Sequence, residues 1–561
     1  MGDSWRVSPR LTLNYSLRWD YVTPFKEKFD NLSFFDPLGA NPDAVAANGT
    51  NLKGRLAFAG NKWGAASYGA DYPEVPQKDN LAPRVGFAYS LNEKTVVRAG
   101  YGIYFGQAFY PGWGGGMSQD GFNKNVNLSE SPSGSFKVPA LYLVSGVSTT
   151  QTGSTSSSID SGYDNGTTPS IYRPLDGNKR PYSSQWNMTV ERQLPHNFFT
   201  QISYVGTKGT HLPSALSPLN VLNPGNSAIT NLGSDLDVNY NSANGPATFA
   251  ADGINVPYAG WANQMTGCSP TIGQALLPYP QYCGDLQGDN EFHGNSIYNS
   301  FQARVERHIT NGLYVLGSLT VSKLYSNGTF STQGNSGGSG NTSAFSPYNI
   351  GRAWALAPDN VPITGQIAVV YDLPFGTNKL FLNGSAAADK IVGGWQVSPI
   401  YRYEFGTPFS LSSSTCQTST IGYFREGCVP GVVPGQEVEP HGRNGFNPAT
   451  KGTYLNPAAF ESGSAFTTFG YTGYGKAVTT IYGPSYSNLD VSFTKNTKIA
   501  ERANFKFSAN FFNSLNNHAL ISQGNGPGGA FVTDVSNPAF GTWNGDASAP
   551  RSIQFAGRIE F

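Results

Sequence analysis

The chain has 561 residues, only 13% of them charged, and its 36 Lys and Arg balance 36 Asp and Glu, so no basic face for nucleic acid is implied. No run of about 18 apolar residues occurs, which excludes a helical membrane span. With 67 Gly, 37 Pro and 13% aromatic residues, the composition stays below the ~25–30% Gly plus Pro of a disordered chain and suits a large all-β protein.

The first residues, MGDSWRVSPR, lack an apolar stretch of the kind a signal peptide carries. Leu11, Leu13, Tyr15, Leu17 and Trp19 then alternate with Thr12, Asn14, Ser16, Arg18 and Asp20. Period two predicts a two-faced strand. After a Gly/Asn/Pro-rich region, Val85, Phe87 and Tyr89 lead through a turn at Asn92–Lys94 to Val97, Ala99, Tyr101, Ile103 and Phe105. A second long polar region contains the low-complexity stretch STTQTGSTSSS.

The hairpin unit repeats. Trp186, Met188 and Val190 turn at Pro195–Asn197 into Phe198, Ile202 and Tyr204. Phe301, Ala303 and Val305 turn at Thr310–Gly312 into Leu313, Val315, Leu319 and Val321. Ile367, Val369 and Tyr371 pair across the looser Pro374–Gly394 with Trp395, Val397, Tyr401 and Tyr403. Leu489, Val491 and Phe493 pair with Phe505, Phe507 and Phe511, and Ser552 to Phe561 closes the set. About twelve strands are predicted, with boundaries good to a few residues.

The connections alternate long and short along the whole chain. Structureless loops above ~15 residues are uncommon in compact soluble domains, whereas outer-membrane barrels join short periplasmic turns to long extracellular loops. The predicted fold is therefore an all-β transmembrane antiparallel barrel wall. All long connections, centred near residues 50, 145, 255, 343, 445 and 533, should lie at one end, with both termini at the other. Leu13, Phe87, Tyr101, Val190, Val315, Val369, Phe493, Phe507 and Phe555 should face lipid, and Arg18, Arg304, Arg402 and Lys506 the lumen. Trp19, Tyr101, Tyr104 and Tyr403, near strand ends, are candidates for an aromatic girdle, with ordinary cross-strand packing as the alternative.

The opening DSWRVSPRLTLNYSLRWDY resembles the pattern D-x-W-[KR]-V followed by LTLN…GLR-[WY]-[DE] in barrels of TonB-dependent receptors, with Ser16 where that family usually has glycine. LAPRVGFAYSLNEKTVVRAGYGIYF, RPYSSQWNMTVERQLPHNFFTQISYVGTKGTHL, VGGWQVSPIYRYEFGTPFS and SNLDVSFTKNTKIAERANFKFSANFFNSLNNH resemble the Oar-like subgroup. The resemblance implies a 22-stranded outer-membrane barrel with an N-terminal plug, taking up a scarce nutrient with energy from TonB. It implies that residues 1–561 are the C-terminal portion of such a barrel, with plug, signal peptide and TonB-contact segment absent. The expected partners are outer-membrane lipid, the TonB complex through the missing N-terminal region, and a small-molecule, glycan or peptide substrate. The closing strand, with Phe555, Ile559 and Phe561, resembles the C-terminal signal read by the barrel assembly machinery. An open wall is expected, with Leu11–Asp20 as an exposed edge.

No constellation for catalysis or cofactor binding emerges. The G-x-S-x-G at Gly334–Gly338 sits in a flexible polar loop rather than between a strand and a helix. The six histidines lack metal-ligand spacing, and Glu437 and Glu439 lie in a Pro/Gly-rich loop. Four cysteines allow three pairings; membership of one loop favours Cys268–Cys283 and Cys416–Cys428, with free thiols as the alternative. Loop aromatics such as Tyr110, Trp113, Tyr258 and Trp261 are candidates for stacking on substrate or for packing within the loops. A passive pore, a surface-binding or adhesion barrel, and a soluble secreted β-sandwich or propeller enzyme are the alternative functions.

Overall fold

The computed structural model describes residues 1–24, 26–72, 76–106, 144, 159–169, 179–214, 216–288, 291–310, 312–328, 345–376, 379–382, 386–415, 422–425, 429–440, 446, 452–461, 475–476, 478–500, 503–520, 531–543 and 548–561. The strands are β1 (Gly2–Ser8), β2 (Leu11–Trp19), β3 (Ser33–Val45), β4 (Asn51–Phe58), β5 (Leu81–Asn92), β6 (Thr95–Phe105), β7 (Tyr182–Leu194) and β8 (Phe198–Leu212). They continue as β9 (Gly294–Thr310), β10 (Leu313–Ser326), β11 (Ala355–Leu356), β12 (Ile363–Asp372), β13 (Trp395–Glu404), β14 (Tyr486–Ala500), β15 (Ala503–Phe512) and β16 (Ser552–Glu560). Apart from the β3–β4 hairpin and the short β11, they form one antiparallel wall in chain order, from β1 to β16. Among the described residues no pairing joins β1 to β16, so the wall has two edges.

The wall has one strand more than the twelve expected. Gly2–Ser8, not counted among the twelve, pairs with β2 in the register Trp5↔Leu13. Leu11–Trp19 is therefore an interior strand and β1 is the edge, which corrects the expected position of the opening. The same strand corrects the placement of the termini. Because consecutive neighbours are antiparallel, all long connections fall at one end of the wall and all short ones at the other. Phe561 follows β16 at the short-turn end. Met1 lies at the long-loop end, where its amino group donates to the Leu17 carbonyl at 3.0 Å.

Ladder pairing carries one face across the wall. Leu13 pairs with Phe87, Val97 with Val190, Val315 with Val369, Val397 with Phe493 and Ala509 with Phe555. The other face runs from Arg304 through Ser318 and Gln366 to Arg402, and on to Lys506 opposite Arg558. Along β5 the apolar Leu81, Val85, Phe87, Tyr89 and Leu91 are exposed, while the residues between them, up to Ser90, are buried or half-buried. Side chains splay on a convex surface and crowd on a concave one, so the apolar face is the outer one here. An apolar surface reaching from Val85 to Phe555 exceeds the few hundred Å² that soluble proteins tolerate. It is a lipid-facing surface.

The described parts of the long connections are folded. β3 and β4 pair as a separate hairpin, and the β8–β9 connection holds short helices at Ser227–Thr230, Gly245–Ala251, Trp261–Gln264 and Ile272–Leu276. The side chains most completely removed from solvent, Trp261, Tyr282, Tyr454, Phe34 and Phe35 among them, lie in these connections and not in the wall. The looser turn before β13 contains a helix, Ala386–Val392.

Candidate functional site

Two regions offer binding surfaces: a cap built from the long connections and the polar face of the wall. The cap core joins Ala44 of β3, Leu222, Leu236, Phe249, Trp261 and Ile272 of the β8–β9 connection, and Phe424 of the β13–β14 connection. Polar contacts cross the same junctions. Asn41 donates to the Tyr282 hydroxyl at 3.2 Å and to Asn165 at 2.8 Å. The Thr271 and Tyr423 hydroxyls are 2.5 Å apart, and Arg425 pairs with Asp285. Each contact ties two connections together, so the cap is one body.

Of the two roles open to its aromatics, stacking on substrate or packing within the loops, the described ones take packing. Trp261 is 0% exposed and donates its indole N–H to the Pro280 carbonyl at 2.9 Å. Tyr258 is 3% exposed and donates to Gln264, and burial raises its pKa. Both rings hold the cap together. Tyr110 and Trp113 lie outside the described residues, as do Cys416, Cys428 and the G-x-S-x-G at 334–338. Glu437 is exposed, with its carbonyl accepting from Asn456.

Cys268 and Cys283 are joined as a disulfide with Cα atoms 5.7 Å apart, closing a separation of 15 residues beside Trp261. A cross-link of that span stabilises by about 3 kcal/mol. Removing it by C268S/C283S is expected to lower cap stability by ~2–4 kcal/mol, measured as faster hydrogen exchange in residues 261–283 without loss of the wall. Unchanged exchange would show that the core alone holds this segment.

A second tie joins the β13–β14 and β15–β16 connections. Asp534 accepts from the Ser414 amide at 3.2 Å and the Ser536 amide at 2.9 Å. Burial works against its ionised form, but hydrogen bonds from Ser536 and Ser414 outweigh this and hold its pKa below 3.8. A depressed carboxyl stabilises the fold above its unfolded pKa and loses that contribution as pH falls through the folded one. The tie should therefore persist above 3.8 and fail only in more acid solution. Fluorescence from Trp543, packed in the adjoining core, should titrate below that value in the native protein and be flat there in D534N.

On the polar face, arginines hold carboxylates: Arg18 with Asp20 at 2.5 Å, Arg98 with Glu191 at 3.3 Å, Arg304 with Glu306 at 2.8 Å, and Arg402 with Glu404. Serines and amides fill the intervals, as where Ser492 donates to Asn510 at 2.6 Å. A cavity of about 520 Å³ opens between β1 and β8, lined by Asn14, Arg84, Gly86, Gly100, Gly102, Tyr104, Gln185 and Asn187 among others. Trp19, Tyr101 and Tyr403 belong to the apolar face, but Tyr104 does not. It lies on the polar face with Arg84 4.4 Å above its ring, which removes it from the girdle candidates. Arg84 was not singled out from the sequence; the signal for it is the set of glycines at facing positions on β5 and β6.

A sequence profile described as an outer membrane beta barrel domain matches residues 1–554. The chain belongs to that family. As an outer membrane beta barrel domain it resides in the outer membrane, with the apolar face in lipid. Among the described residues no helix is long and apolar enough to cross a membrane, which says nothing of strands. No curated protein sequence matches the chain. Among solved structures it is similar to the ferripyoverdine receptor of Pseudomonas aeruginosa bound to ferripyoverdine (8% identity, TM-score 0.36, 99% of this chain and 37% of that one). It is also similar to the Escherichia coli K12 ferric-catecholate import receptor Fiu (10%, 0.35, 100% and 43%) and the Escherichia coli outer membrane transporter YddB (12%, 0.35, 98% and 45%). This barrel domain spans less than half the length of each.

Proposed function

We propose that the chain forms the C-terminal wall of a TonB-dependent, 22-stranded outer-membrane transporter that takes up a scarce solute. The observation that carries this reading is the wall itself. One face is apolar and lipid-compatible, the other is lined by hydrated ion pairs, and both edges are left for further strands. A backbone edge in lipid costs several kcal/mol for each unsatisfied group, which favours completion by other strands over thirteen standing alone. The folded cap would receive the solute at the cell surface, and the polar face would line its path. Cys268–Cys283 and Cys416–Cys428 would keep the cap closed in the oxidising envelope. Phe555 and Ile559, on the outer face of the last strand, and Phe561 just beyond its end would meet the barrel assembly machinery.

The test is genetic. In the native host, deleting the gene and deleting the energising protein should abolish uptake of the same solute. Uptake that survives loss of energisation would leave a passive pore. The interlocked cap favours a surface-binding barrel as the second reading; binding to whole cells without any uptake would select it.

A further inference from the structure

We infer that the cavity between β1 and β8 is an oxyanion site in which Arg84 receives a carboxylate or phosphate group of a small solute. The inference rests on the transport reading only in taking the polar face as the solute's path.

Arg84 differs from the arginines whose carboxylate partners are described above. Among the described residues it has none, and its Nε is buried without a hydrogen-bond partner. Two carboxylates of the polar face are already committed. Asp20 holds Arg18, and Glu191 holds Arg98. Asp3 lines the same cavity, but its side chain accepts from the Tyr15 hydroxyl at 3.4 Å on the opposite face. A guanidinium desolvated on one side and lacking a counter-charge favours an oxyanion, which its fork can bind through two hydrogen bonds.

The surroundings hold this arginine in place. Its guanidinium carbon lies 4.4 Å above the Tyr104 ring, a cation–π contact that fixes the plane. Tyr104 can fold back along its own strand because position 102 is glycine. A methyl group there would lie 3.0 Å from the Tyr104 ring and 3.2 Å from Arg84 Cγ. At Gly100 a methyl group would lie 3.1 Å from Asn187 Oδ1. Gly86 pairs with Gly100 across the ladder, and Arg84 pairs with Gly102. These glycines form the floor, and Gln185 and Asn187 on β7 and Asn14 on β2 supply neutral donors around the rim. Such a site matches one anionic oxygen group flanked by hydroxyls or amides.

The test uses the full chain in detergent micelles, titrated separately with succinate and with inorganic phosphate by calorimetry. Saturable binding of at least one anion is expected, weakened about tenfold or more by R84Q and by G102A. R10Q, in the exposed turn between β1 and β2 and outside the cavity, should leave affinity unchanged. Binding of only one of the two anions would support the site and name its oxyanion. Equal binding to native protein and R84Q, or no saturable binding to either, would overturn it. Tighter binding of a Glu-containing peptide than of either anion, lost in R84Q, would overturn the small-solute assignment by making the occupant a polypeptide. R84Q should still insert in the outer membrane, so loss of the anion site leaves the transport reading standing, and failure of native protein to insert refutes that reading instead.

Discussion

Replacing Trp261 by alanine is expected to destabilise the cap by about 3–5 kcal/mol, the range for truncating a fully buried large aromatic side chain. The indole is 0% exposed and packs among residues from three connections. Its N–H donates to the Pro280 carbonyl, so truncation opens a cavity and removes one of that carbonyl's two donors, Gln274 remaining as the other. The wall shares none of this core. Limited proteolysis should therefore cut W261A in the β8–β9 connection while the folded barrel keeps its resistance to heat and detergent. Cleavage no faster than in the native protein would mean that the cap does not depend on this core.

The second large effect is expected on the outer face. Val369 lies on the apolar face of β12, paired with Val315, and arginine there faces lipid at a cost that rises to ~2–4 kcal/mol at the bilayer midplane. Gln366 lies on the opposite face, beside Ser318 and Arg402, where arginine meets water and polar side chains. V369R should lower yield in the outer membrane and shift unfolding from lipid vesicles to lower denaturant, with Q366R close to native. The reverse ranking would invert the two faces. A slip of one residue in register exchanges these positions, so the comparison also fixes the register.

The wall was legible because each strand after β1 repeats one physical instruction, apolar out and polar in, over nine or more residues. The Pro195–Asn197 turn and the Val315–Val369 face follow from it directly. β1 was half-legible. Trp5 and Val7 alternate correctly, but seven residues carry too few repeats to stand out as a strand. Tyr104 misled because it is aromatic near a strand end; its even parity with Arg84 and Gly102 was the better guide. The cap was illegible for another reason. Its helices are four to seven residues long, too short for a period to register, and its core is assembled from positions hundreds of residues apart. Trp261 therefore read equally as a ligand contact or as a packing residue of its loop. Local pattern reports local structure, and the cap is a product of tertiary contact.

That long-range assembly imposes an order of events. The bond from Asn41 to Tyr282 spans 241 residues, and the one between Thr271 and Tyr423 spans 152. Neither pair can meet until the intervening hairpins have zipped side by side, because the chain entropy of such separations is offset only once neighbouring strands bring the ends together. The Cys268–Cys283 bridge is the exception: it closes within one segment and can form while the polypeptide is still unfolded. Maturation would then begin with a local covalent loop, proceed through strand pairing, and finish with the clasp above the wall. A cap that closes last reports on everything beneath it, so its protection from protease serves as a readout of whether the strands were assembled in the correct order.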